Sequence, residues 1–299
     1  MQIENEDTLI YKMASDHESV FDAFIDELGL SARFFKSLVK ENSISLNDKA
    51  IKRKTKVKRG DAIIINMLDE KPVYQPQNMS LEVLYEDLDL LIINKPPYTL
   101  VHPTKTHSNN TISNGVADYF VKKNIRKKVR LINRLDMNTS GVLVISKNPF
   151  GHLKLAAQME KDIVKKKYIA VVEGVVEKDS NIIDLPIGKD DDNPIKNKVT
   201  PTGKKCITKY TVIKRYKTAT LLEVNIMTGR THQIRVHLAH IGYPIIGDEL
   251  YNKECKLIKR QALHAYEIKF LKPRSNELIS VCAKYPDDIL NLLRKIDEE

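Results

Sequence analysis

The chain has 299 residues, 42% of them hydrophobic, enough for an ordinary buried core and against global disorder. Its 49 Lys and Arg against 39 Asp and Glu leave a net charge of +10, which points toward a polyanionic partner, although many basic proteins bind no nucleic acid. The cysteines Cys206, Cys255 and Cys282 form no CxxC pair, no window is apolar over the ~20 residues of a membrane helix, and MQIENEDTLIYKM lacks the regions of a signal peptide. These features describe a soluble cytoplasmic protein with reduced thiols and no membrane association.

The first segment, 1–68, reads as a small α/β module. SVFDAFIDELG places Val20, Phe21, Phe24, Ile25 and Leu28 on one helical face and stops at Gly29, and Ser31 caps a second short helix, SARFFKSLVKE. SISLN and DAIIINM follow as strands, linked by the Asn47-Asp48 turn and by KAIKRKTKVKR, which holds seven basic residues and no acid. A solvated basic hairpin is the plain reading of that run alone. Two helices followed by a basic hairpin resemble the S4 RNA-binding module over about Ser15 to Met67, which implies RNA contacts at Lys52, Arg53, Lys54, Lys56, Lys58 and Arg59.

The polar, Pro-containing stretch 69–80 is expected to be a linker, and a second unit occupies 81–299. It begins with a strand, an acidic turn and an apolar strand ending at Lys95-Pro96-Pro97. Asn148 caps a helix with Pro149 at its first position, KKYIAVVEGVV is strand-like, and KYTVIKRY with TATLLEVNIM forms a hairpin. Thr231 is expected to cap a helix, HQIRVHLAHI, that stops at Gly242, and YPDDILNLLRKI is a last amphipathic helix. The absence of a regular βαβ rhythm favours an α+β fold with a largely antiparallel sheet.

Most common motifs are missing. There is no GxxxxGK[ST] loop, no GxGxxG after a strand and no GxSxG elbow, so no nucleotide cradle or hydrolase nucleophile is indicated. His237 and His240 share a helical face but lack the Glu of HExxH, and packing or RNA contact is the preferred reading over metal. Asp190-Asp191-Asp192 lies in a Gly- and Pro-bounded loop and reads as solvated acid, the alternative being a metal-dependent nuclease or phosphatase. Neither a metal nor a cofactor is expected.

Three stretches remain: RLINRLDMNTSGVLVISKN with its lone acid Asp136, KKKYIAVVEG with Tyr168, and TGRTHQIRVHLAHIG with Arg235. Singly, each has a plain reading as a turn acid, a strand aromatic and a helix-surface cation. With LLIINKPPYTLVHP, GYPIIGDELY and ALHAYEIKF they come in the order of the RluA-type pseudouridine synthases, and the chain resembles that family from Leu81 to Phe270. The resemblance implies a cofactor-free isomerase that converts uridine to pseudouridine in RNA; the S4-like module and basic run favour ribosomal RNA over transfer RNA, and a monomer is the default expectation. It implies Asp136 as nucleophile, Tyr168 as the aromatic stacked on the target base, and Arg235 as the cation paired with Asp136. Arg134 would occupy the gap left by the departing uridine, and Lys167 and Arg230 join it as RNA contacts. Asn133 departs from the His usual before RLD, which implies altered RNA contacts rather than lost activity. The alternative is a non-catalytic RNA-binding or ribosome-assembly factor on the same fold.

Overall fold

A computed structural model of the chain describes residues 4–104 and 106–298. The N-terminal module is a four-stranded antiparallel sheet in the order β1-β4-β2-β3, formed by β1 (Thr8–Lys12), β2 (Ile44–Leu46), β3 (Lys49–Ala50) and β4 (Ala62–Asn66). The β2–β3 hairpin turns through Asn47 and Asp48, both at positive φ (50° and 62°), as the Asn-Asp pair allows. Strand β1 was not expected from the sequence; it pairs with β4, whose apolar run lies between β1 and β2. Residues 20–28, expected as one α-helical face, instead open into a wider coil. After the α1 turn (Val20–Asp22), Ala23–Glu27 is π-helical, and Leu28 N–H donates to Ala23 O. Helix α2 (Ala32–Lys40) is capped by Ser31, as expected. Phe24, Leu28, Phe35, Leu38, Ile63 and Ile65 form this module's core.

The larger unit is a ten-stranded sheet. It contains β5 (Glu82–Glu86), β6 (Leu90–Lys95), β7 (Arg130–Leu131), β8 (Ser140–Ser146), β9 (Lys165–Glu173) and β10 (Ser180–Asp184), followed after a separate hairpin, β11 (Ile187–Lys189) with β12 (Asn197–Val199), by β13 (Ile207–Arg215), β14 (Ala219–Ile226), β15 (Leu263–Leu271) and β16 (Leu278–Cys282). The path is β10-β13-β14-β9-β15-β8-β6-β5, with β16 beside β15 and β7 beside β8; every pairing is antiparallel except β15 with β8. The expected α+β fold with a mainly antiparallel sheet is therefore the fold observed. β6 and β8 read as unbroken apolar runs because both faces are covered. Leu91, Ile93, Leu143 and Ile145 join a core with residues of α3 (Ile112–Lys122), α5 (Gln233–His240) and α6 (Asp287–Glu298), whereas Leu90, Ile92, Val142 and Val144 pack with Leu155 of α4 (Pro149–Glu160).

The two units are fastened to one another. Phe150 and Leu153 of α4 pack into the N-terminal core, and Lys154 Nζ donates to Leu28 O. An acidic segment ahead of β1 adds ion pairs: Arg274 with Glu4, Lys147 with Glu6, and Lys127 with Asp7. Between the units, residues 69–80 form neither helix nor strand but are tacked down, with Glu70 N–H bonded to Arg126 O and Gln77 N–H to Asn114 O.

Candidate active site

Asp136 sits in the loop between β7 and β8, at a cleft of about 640 Å³. Leu135 beside it is buried, and Thr139 N–H closes a turn onto Asp136 O. Gly141 then lets β8 run close to β15: at its φ of +113°, a Cβ would lie 2.2 Å from Ala265 O. Lys95, at the end of β6, holds the other side of the loop. Its buried Nζ donates to Pro96 O, Thr99 O and Met137 O, at 2.7, 2.8 and 2.8 Å. Burial, with Arg260 adding to it and Asp136 opposing, pushes its pKa down to about 7. Three carbonyl acceptors match the three N–H bonds of the ammonium form, so the geometry favours the charged state.

Arg235 reaches the same carboxylate from α5. Its Nη1 donates to Asp136 Oδ2 at 3.0 Å, while Nε and Nη2 form a two-pronged pair with Asp248 at 2.7 Å each. Arg235 and Asp248 are only 7% and 1% exposed, so the guanidinium is fixed from behind before it meets Asp136. Its face also lies 5.1 Å from the Tyr251 ring centroid.

The turn before α5 is set by Gln233, whose Oε1 accepts from Thr228 Oγ1 and Arg230 N–H and whose Nε2 donates to Ile207 O and Thr208 Oγ1. Here the expected cap is corrected. Helix α5 begins at Gln233, and its N-cap is not Thr231 but His232, in the left-handed region at φ 58°. Two contacts account for the shift: Thr231 O is taken by Asn197 Nδ2, and His232 Nδ1 lies 2.9 Å from Tyr251 Oη. Tyr251 Oη also accepts from Asn197 N–H, and His232 Nε2 lies 3.9 Å from Asp136 Oδ2.

Tyr168, on β9, forms another wall and is 6% exposed. Burial first, and the Asp136 charge second, raise its phenol pKa well above the ordinary value, so the hydroxyl keeps its proton. The cleft thus brings Asp136, Tyr168 and Arg235 together, with exposed Arg134 and Arg230 at its rim. It does not include Lys167, which pairs with Glu223 and Glu267; strand alternation turns Lys166 toward Tyr168 and the cleft instead. Lys166 was missed in the sequence, although its parity with Tyr168 was there to find it. Asp248 and Lys95 were not singled out either, although GYPIIGDELY and LLIINKPPYTLVHP, two of the stretches that carry the resemblance, contain them.

The remaining candidates lie elsewhere. Lys52, Arg53, Lys54, Lys56, Lys58 and Arg59 are all exposed on the N-terminal module, with Arg53 over the Phe21 ring at 4.0 Å and Lys56 3.4 Å from Glu18. Asn133 spends its amide on the backbone, donating to Val142 O and accepting from Val144 N–H. His237 is buried between Thr208 Oγ1 and Leu185 O, and Asp190 and Asp191 face Lys198. Among the described residues no group of three or more His, Cys, Asp or Glu side chains gathers as metal ligands.

Comparisons with known proteins converge on one family. Residues 89–240 match the family described as RNA pseudouridylate synthase. The chain is 34% identical over 274 residues to the Bacillus subtilis uncharacterized RNA pseudouridine synthase YjbO, covering 91% of this chain and 97% of that one. It is 36% identical over 269 residues to the ribosomal large subunit pseudouridine synthase D of Buchnera aphidicola, covering 84% and 85%. Among solved structures, human RNA pseudouridylate synthase domain containing 4 superposes with a TM-score of 0.58 at 23% identity, over 72% of this chain and 92% of that one, a likeness of fold. By sequence and fold, the chain belongs to the RluA/RluD-type RNA pseudouridine synthases, which are isomerases.

Proposed function

We propose that the protein isomerises particular uridines of a structured RNA, ribosomal RNA before transfer RNA, with Asp136 as the nucleophile. The observation that carries the catalytic part is the 3.0 Å contact of Asp136 with an Arg235 guanidinium already anchored by Asp248. A neighbouring fixed cation holds the carboxylate in one orientation at the cleft, as attack requires. Its oxygens are left partly accessible, with the Asp136 side chain 26% exposed toward the cleft. The ribosomal part rests on the large-subunit relatives, to which the chain is similar over most of its length.

The reaction breaks a C–N glycosidic bond, turns the base and forms a C–C bond, with no redox change. The target uracil must leave its stack, which costs a few kcal/mol and is eased when a side chain fills the vacancy. Exposed Arg134, two residues from Asp136, is placed for that filling. Tyr168 offers a flat face worth about 1–3 kcal/mol to a stacked base. Because its hydroxyl holds its proton, it serves as a hydrogen-bond donor near Asp136 and not as a phenolate base. The N-terminal module, read as S4-like, grips RNA backbone through its exposed basic loop.

Carbodiimide mapping of pseudouridine in total RNA tests this reading, comparing cells lacking the protein with cells carrying wild-type or Asp136→Ala copies. Marks in ribosomal RNA restored only by the wild type are expected. Restoration by Asp136→Ala would overturn the nucleophile, and marks confined to transfer RNA would overturn the substrate.

A further inference from the structure

Lys166 is a cation of the cleft that is withdrawn from solvent and has no counter-ion among the described residues. It is half-buried, lines the cleft beside Tyr168, and has its Nζ against the Thr228–Arg230 turn, 4.0 Å from where a Gly229 Cβ would stand. Among the described residues it makes no side-chain hydrogen bond and no ion pair. Its neighbours on β9 differ: Lys165 pairs with Asp162, and Lys167 with Glu223 and Glu267. The other cations of the cleft are accounted for. Arg235 is consumed by Asp136 and Asp248, and Arg134 and Arg230 are solvated at the rim.

A charge removed from water without a partner is a cost that folding alone does not repay. Burial accordingly pushes the Lys166 pKa down, with only the distant Asp162 charge opposing it. An arriving anion would reverse both effects. In an RNA substrate the anion that must enter beside an extruded base is its own backbone phosphate.

We propose that Lys166 binds the phosphate of the flipped uridine nucleotide inside the cleft, and so fixes the sugar over Asp136. The inference rests on the RNA isomerase reading above. It assigns the inner phosphate contact to Lys166, whereas the rim arginines serve the flanking strand.

The test is tritium release from RNA labelled with 5-tritiated uridine and extracted from cells lacking the protein, at 50 to 200 mM KCl. Lys166→Met should raise KM about 10-fold with kcat nearly unchanged, and should lower the slope of log kcat/KM against log salt by about 0.7, the loss of one single-strand phosphate contact. Its Tm should equal or exceed the wild type's, because an unpaired buried charge has gone. Lys166→Arg should restore the slope and also hold KM flat to a higher pH than the wild type, whose lysine is lowered in pKa by burial. Lys214→Met, removing a charge that faces Asp297 far along β13, is the control that leaves the slope unchanged.

A wild-type slope in Lys166→Met would overturn the phosphate assignment, and if kcat alone fell, the lysine would be acting on the base. A lowered Tm would show a structural lysine and overturn it too. Absence of tritium release from the wild-type protein would instead overturn the isomerase reading on which the inference stands.

Discussion

The basic loop of the N-terminal module and the cleft around Asp136 both concentrate cations, but they hold them in opposite ways. In the loop, Lys52, Lys54 and Lys58 project into solvent and form no ion pair among the described residues, while Thr55 and the buried Val57 anchor the backbone. In the cleft, Arg235 and Lys95 are buried and held, the first by two carboxylates and the second by three carbonyls. Exposed cations attract a phosphate backbone with little geometric demand, and salt screens them. Buried cations held in this way bind little that is new; they fix where one carboxylate and one loop must stand. Charge density marks the first kind of site, and charge confinement marks the second.

The comparison breaks most sharply at Asp136. Asp136→Asn should lower tritium release by about 10³-fold or more while the protein still binds RNA, since Arg235 keeps Asp248 and the loop cations are untouched. Retention of a tenth of wild-type activity would show that the cleft's charges are not arranged around this acid. Next comes Asp248→Asn, which leaves the Arg235 guanidinium buried with half its pairing gone. Breaking such a pair costs about 3–5 kcal/mol, measurable as a lowered urea midpoint, and activity should fall with it. A midpoint within error of wild type would show that Arg235 does not need its rear anchor.

Lys95→Met sharpens the contrast, because it removes a cation that touches no carboxylate. The Met137 carbonyl loses its donor one residue from Asp136, so kcat should fall about 10-fold with KM little changed. The same contact gives a pH signature. The ammonium form holds the loop and the amine holds it less well, so wild-type kcat should decline as pH rises through about 7, a limb the variant lacks. An unchanged pH profile in Lys95→Met would detach Lys95 from the reaction. The smallest effect belongs to the loop. Replacing Lys52, Lys54 and Lys58 together by Ala should raise KM about 3- to 10-fold and reduce the salt slope by about 2, leaving kcat and Tm alone. A fall in kcat would mean that the two regions are not separable.

Much of this arrangement was legible in the sequence, for reasons that differ by residue. The strands β6 and β8 announced themselves as long apolar runs, and Ser31, Asn148 and Gly29 marked helix ends through local chemistry. Asp136, Tyr168 and Arg235 stood out only through the long motifs around them, and the fold brings all three to one cleft. Asp248 lay within GYPIIGDELY, but its role did not show there, because it rests on a contact with Arg235 that no periodicity reports. The left-handed His232 was hidden for a related reason: its conformation is held by Tyr251, 19 residues on. Lys166 and Lys167 are identical in composition, and only the alternation of β9 tells the cleft-facing one from the one held by two glutamates.

On the proposed function, the acidic segment Glu4–Asp7 bears on how RNA is chosen. Its three acids grip Arg274, Lys147 and Lys127, and Phe150 reaches into the N-terminal core, so the basic loop and the cleft are held at a set spacing. An RNA engaged at one of them meets the other at a high effective concentration, provided its own shape spans the same gap. On that reading the protein would work as a caliper: an RNA of the wrong span would pay for distortion or forfeit its second contact, and sites would be sorted by shape before any base is turned.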